Sequence, residues 1–88
     1  MTTRKTNVTE HVYVILQQHL GNDVALSLES DLLNDLGMDS LEQVELGLKL
    51  EKDFSIKIPV ANLRSCVTVE EVIQLVERIV SQKEATRA

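Results

Sequence analysis

A helix-start signal occurs three times in this chain, each time ahead of apolar residues at helical spacing. Asn7 and Glu10, Asp39 and Glu42, and Thr68 and Glu71 all have the spacing of a capping box. In that arrangement a short polar side chain and an acid or amide three residues on satisfy the orphan amides of a first turn. Three such starts within 88 residues predict an all-α chain.

The first helix is predicted from Val8 to Leu20, with Val8, Val12, Ile15, Leu16 and Leu20 on its apolar face and Gly21 as its stop. Asn22 to Leu36 scatters leucines among Asp, Asn and Ser and reads as a long ordered loop. Leu26, Leu28, Leu32 and Leu33 are expected to be partly buried there. The second helix starts at Asp39 or Ser40 and runs to Lys52 or Asp53. Pro59 opens a one-turn helix through Arg64, since proline is tolerated in a first turn. The last helix starts at Thr68 and buries Val69, Val72, Ile73, Leu75, Val76, Ile79 and Val80; with so many β-branched residues, packing must hold it. The expected architecture is a small four-helix bundle of three longer helices and one short one, with a long first loop. Positions 1–7 read as a disordered tail, 8–80 as the single domain and 81–88 as a flexible tail.

Composition removes several classes of function. Tyr13 and Phe54 are the only aromatic residues, too few for a base-stacking surface. A net charge of −5 has the wrong sign for gripping phosphate backbones, so no nucleic-acid partner is expected. One cysteine, Cys66, excludes an intrachain disulfide and a cysteine metal cluster, and is compatible with a cytoplasmic protein. No apolar run approaches the roughly 20 residues of a membrane span. The loop acids do not match calcium-loop spacing, so no metal site is assigned. His11 and His19 have no nucleophile or acid paired with them in sequence, and no catalytic role is expected.

The second helix carries more apolar surface than an edge helix needs. On a wheel at 100° per residue, Leu46, Gly47, Leu50 and Phe54 form a core side, while Leu41, Val44 and Leu48 form a second stripe nearly opposite. That stripe either packs on the loop or meets a partner. From Glu29 to Asp53 there are eight acids and only two bases, Lys49 and Lys52, so this stretch carries −6 while the rest of the chain carries +1. Acids beside exposed leucines suit a partner with a basic surface. Ser40 sits at the loop–helix junction near Gly37. As a local feature it is an ordinary capping residue, but a phosphate ester there would lie at the helix's positive end. Gly47 costs helix propensity on the core side. Either a neighbouring helix approaches there, or the gap leaves room for cargo; the second is the expectation adopted.

Asp35-Leu36-Gly37-Met38-Asp39-Ser40-Leu41, followed by Glu42-Gln43-Val44-Glu45-Leu46, resembles the attachment motif of acyl carrier proteins. Phe54, Ile58-Pro59 and Thr68-Val69 also fall where that family has similar residues, and the likeness covers about Val8 to Val80. The resemblance implies a non-catalytic carrier whose Ser40, beside Asp39, bears 4′-phosphopantetheine donated from coenzyme A by a phosphopantetheinyl transferase. It implies acyl groups held as thioesters on the arm and passed to acyltransferase, ketosynthase and related enzymes with basic docking surfaces. The partner-binding residues it implies are Asp39, Leu41, Glu42, Val44, Glu45, Leu48, Glu51 and Ile58. The acyl-chain lining it implies is Leu46, Gly47, Leu50, Phe54, Ile58, Cys66, Val72 and Leu75. A monomer is expected. Lys49, Lys52, Val60-Ala61-Asn62, Arg64 and Gly47 depart from the family's usual pattern. They leave open whether the pathway is a specialised fatty-acyl or polyketide one or the main fatty-acid one. Two other classes remain in view: a helical interaction module without an arm, and a peptidyl or aminoacyl carrier of nonribosomal synthesis.

Overall fold

A computed structural model describes residues 4–21 and 23–87 of the chain. Four helices follow one another: α1 Arg4–Leu20, α2 Ser40–Phe54, α3 Val60–Arg64 and α4 Val69–Arg87. No strand occurs among the described residues; a single antiparallel bridge joins Asp31 to Thr68.

Two of the three predicted starts are made as the spacing predicts. Asp39 is the N-cap of α2, and its carboxylate accepts the Glu42 amide at 2.9 Å. At α4 the box is reciprocal: Thr68 Oγ1 accepts from the Glu71 amide, and Glu71 Oε1 accepts from the Thr68 amide, both at 3.3 Å. The Asn7 start is corrected, because α1 begins at Arg4 and Asn7 lies inside it. Arg and Lys are good helix formers and carry the helix back past the capping signal. At the other end α4 continues to Arg87, through most of the stretch expected to be a flexible tail. Met1–Thr3 and Ala88, the remaining tail positions, lie outside the described residues, as does Asn22. Pro59 caps α3 from outside rather than opening it.

The core is a continuous cluster. Val12 and Leu16 of α1, Leu46 and Leu50 of α2, Leu63 of α3 and Val69, Val72 and Val76 of α4 all meet in it. Each such aliphatic side chain contributes about 1.5–3 kcal/mol on burial, which offsets the weak helix propensity of the valines in α4.

The loop between α1 and α2 is held by backbone bonds to the α3–α4 connection. Leu32 donates to the Val67 carbonyl, Val69 donates to Ser30, and Glu70 donates to Leu28, at 2.8, 3.1 and 2.9 Å. Within the loop, Asp31 Oδ1 accepts from the Leu33 and Asn34 amides, and Asp35 Oδ2 accepts from the Asp31 amide. The Asn34 amide is the main reason the Asp31 carboxyl lies below the usual carboxylate range. Of the four loop leucines expected to be partly buried, Leu32 is fully buried and Leu26 half-buried. Leu28 and Leu33 are instead exposed, at 42% and 58%. Met38, not expected in the core, is fully buried and donates its amide to Leu32 at 2.8 Å.

Candidate functional site

The chain reaches α2 through Gly37, whose φ of +69° is a left-handed conformation that a side chain would strain. Asp39 then turns in an extended conformation and caps the helix, so Ser40 becomes the first residue of α2. Ser40 is exposed, and its hydroxyl makes no hydrogen bond among the described residues. A free hydroxyl beside the unpaired amides of a first turn is reachable, and it suits a negatively charged ester. These features fit a phosphate-linked arm at this position.

Beyond Ser40 the two faces of α2 separate as the wheel predicts. Leu46, Gly47 and Leu50 are buried, and Phe54 is half-buried. On the opposite side Leu41 is 66% and Leu48 60% exposed, with Val44 half-buried between them. The loop therefore does not cover that stripe. Glu45 is exposed beside it and Glu42 partly so.

Two residues expected on the docking face are used otherwise. Glu51 is half-buried, and its Oε2 accepts the Ile58 amide at 2.6 Å, fastening the α2–α3 connection. Ile58 itself is only 6% exposed. Sequence alone shows an acid near the end of an acidic helix and an isoleucine beyond it; nothing local shows that the carboxylate folds back.

The expected cargo-lining residues Leu46, Leu50, Cys66, Val72 and Leu75 are all buried in the common core. Room beside Gly47 is corrected. A Cβ placed on Gly47 would lie 2.5 Å from Leu63 Cδ2 and 3.9 Å from Leu63 Cγ, so the side chain of α3 already fills that space. Leu63 carries no motif, yet two features pair it with Gly47: α3 has one leucine, and α2 has one glycine inside its span. Cys66 is buried, and its thiol donates to the Asn62 carbonyl at 3.6 Å. Burial, reinforced by the charge of Glu71 and opposed by Arg78, pushes that thiol above its ordinary value, as expected of an inert buried cysteine.

The histidines link α1 to α2. His11 Nε2 meets Asp53 Oδ2 at 3.1 Å and its ring lies 4.9 Å from Phe54, while His19 Nδ1 meets Lys49 Nζ at 3.1 Å. Asp53 stands at the far end of α2 from Ser40, about 20 Å away at 1.5 Å per residue. The His11–Asp53 pair cannot serve as base to the Ser40 hydroxyl.

Comparison with known proteins gives this serine-led bundle its class. A family model described as a phosphopantetheine attachment site matches residues 10–76. Fold and match together define a phosphopantetheine-binding carrier domain. The acyl carrier protein of Campylobacter concisus (strain 13826) is 35% identical over 66 residues, covering 75% of this chain and 86% of that protein. Those of Campylobacter lari (strain RM2100) and Campylobacter curvus (strain 525.92) are 33% and 32% identical over the same length and shares. The chain belongs to the acyl carrier protein family.

Proposed function

We propose that Ser40 is the residue that bears 4′-phosphopantetheine, and that the chain holds acyl intermediates for fatty-acid or polyketide type enzymes in the cytoplasm. The observation that carries this reading is the exposed, uncommitted Ser40 hydroxyl on the first turn of α2, next to the capping carboxylate of Asp39. The arm supplies a terminal thiol on which an acyl group rides as a thioester. The protein's own residues do the rest. Asp39 holds the first turn that presents Ser40. Leu41, Val44 and Leu48 offer apolar contact to the transferase, acyltransferase or ketosynthase, and Glu42 and Glu45 steer basic surfaces toward it. The core side chains of α2 and α4 shelter the cargo. A deep cleft or a general base is not needed for any of these tasks, and the family works by carrying rather than by catalysis.

The test is intact mass. Wild type and Ser40→Ala are each incubated with coenzyme A, magnesium and a broad-specificity phosphopantetheinyl transferase. Wild type should gain one phosphopantetheinyl mass and Ser40→Ala none. A modified Ser40→Ala protein would move the attachment point. A wild type left unmodified by several transferases would return the chain to the class of interaction modules without an arm.

A further inference from the structure

We propose that the groove at the pole of the bundle remote from Ser40 is a second docking site, and that it takes an acidic segment of a partner protein with an aliphatic side chain beside its carboxylates. This goes beyond the reading of Ser40 and does not depend on it. The groove is open and has a volume of about 560 Å³; the end of α2 and the chain just past it form one wall, and one face of α4 forms the other. α2 spans 15 residues, so at 1.5 Å per residue this pole lies about 20 Å from Ser40. The floor is apolar: Ile56 is 7% exposed and Ile79 half-buried. The rim is basic. Lys57 is exposed and has no hydrogen-bond or ion-pair partner among the described residues. Lys83 is exposed and donates to the Ser55 carbonyl, which uses one of the three donors of an ammonium. Glu51 is the acid in the lining, and its Oε2 is committed to the Ile58 amide. The turn that builds this rim is strained. Ser55 caps the C-terminus of α2 with φ +56°, a conformation that glycine usually supplies. Its amide and that of Ile56 both donate to the Glu51 carbonyl, and the chain leaves this turn with Ile56 facing in and Lys57 facing out.

Sign, relief and openness select the occupant. The chain carries −5 overall, yet two ammoniums and one committed carboxylate line this groove. It therefore attracts the opposite class of surface from the acidic face beside Ser40. The apolar floor is recessed rather than protruding, so it cannot insert into a lipid surface. A partner must bring its own aliphatic side chain down onto Ile56 and Ile79. The groove is also open along its length, and an unattached fatty chain lying in it would stay largely in water, whereas small-ligand pockets bury most of their ligand. A peptide meets these conditions, because it covers a groove with one face and leaves the other solvated. The two surfaces lie at opposite poles and take opposite charges, so a protein that holds the chain here leaves Ser40 open to a second one.

The probe is a synthetic peptide, acetyl-Glu-Asp-Leu-Glu-Glu-Leu-Asp-Glu-amide, titrated into the isotope-labelled full chain and followed by two-dimensional NMR. The amides of Ser55, Ile56, Lys57, Ile79 and Lys83 should shift together and saturate, while those of Leu41, Val44 and Leu48 stay in place. Raising salt from about 0.01 M to about 0.1 M shortens the screening length from about 30 Å to about 10 Å and should weaken binding severalfold. Lys57→Glu changes an exposed side chain and sets like charge against the peptide, so binding should fall at least about tenfold. The same peptide with glutamine for every acid should bind wild type as weakly, and Ser40→Ala should bind the acidic peptide as wild type does. No shifts in the groove at low salt, equal binding of the glutamine peptide, or undiminished binding by Lys57→Glu would each overturn the proposal. Shifts centred on Leu41, Val44 and Leu48 would overturn it by placing the peptide on the attachment face. Wild type that ignores the peptide but sediments with phosphatidylglycerol vesicles, and loses this in Lys57→Glu, would overturn it in favour of a membrane. Failure of transferases to modify wild type would overturn the reading of Ser40 and leave the groove's role standing.

Discussion

Replacing Gly47 with valine should destabilise the apo protein by about 1–3 kcal/mol, the usual cost of overpacking a filled core. The structure sets the size. The first added carbon would stand 2.5 Å from Leu63 Cδ2, whereas ordinary contact begins at 3.4 Å, so the leucine methyl must retreat about 0.9 Å. Alanine adds only that carbon. The methyl it meets is the far end of a side chain whose Cγ is already at 3.9 Å, so rotation within Leu63 can relieve the contact. The gain in helix propensity, about 0.5–1 kcal/mol, then offsets much of the strain, and Gly47→Ala should fall within about 1 kcal/mol of wild type. Valine adds two further methyls and loses rotamer freedom, and a turn of Leu63 no longer suffices. Urea unfolding of the apo protein measures both variants, with the slope checked to exclude a change in the unfolded state. Leu63→Ala alone should cost about 2–5 kcal/mol, and the double variant Gly47→Val with Leu63→Ala should cost at least about 1 kcal/mol less than the sum. An apo Gly47→Val protein as stable as wild type, or strict additivity in the double variant, would refute the packing of Leu63 on Gly47.

Asp39→Ala should cost about 1 kcal/mol and speed hydrogen exchange at the Glu42 amide, which two-dimensional NMR reads directly. The Asp31 carboxyl is held below its ordinary range chiefly by the Asn34 amide. Its contribution is therefore complete above the unfolded value of about 3.9 and lost as pH falls through the lower folded value. Across that acid window, stability measured by denaturant should fall less steeply in Asp31→Asn than in wild type. Burial raises the Cys66 thiol, so iodoacetamide at pH 8 should modify it at least about tenfold more slowly in the native protein than in urea. Equal rates would show that the thiol is open to solvent.

What could be read in the sequence was what local chemistry decides. The starts at Asp39 and Thr68 were legible because a cap and its partner lie three residues apart. The two faces of α2 were legible because helical spacing alone separates Leu46 and Leu50 from Leu41 and Leu48. The same logic misled at Asn7, where a capping pair lies inside a longer helix. The long loop is poorly legible because its partners are distant in sequence: Leu32 bonds to Val67, and nothing near Leu33 says that it will face solvent. Met38 gives no local sign of its burial for the same reason. Glu51 looks like one more docking acid until its carboxylate is seen on the Ile58 amide. Gly47 was ambiguous in principle, since a missing side chain leaves the same trace in sequence whether a neighbour or a void stands opposite. Ser40 was singled out by its setting and by the family motif rather than by its own chemistry.

The bonds from Leu28, Ser30 and Leu32 to the α3–α4 connection run from main chain to main chain. Such bonds are indifferent to which side chains the loop carries, so mutation can alter the exposed surface of this loop without changing where Ser40 is presented. Surface and placement thus become separately heritable: a lineage can exchange the exposed Leu28, Glu29 or Leu33 while the distance between the clamp and the serine is inherited unchanged. New side chains grafted at those three positions would then repaint this surface while Ser40 stays where it was.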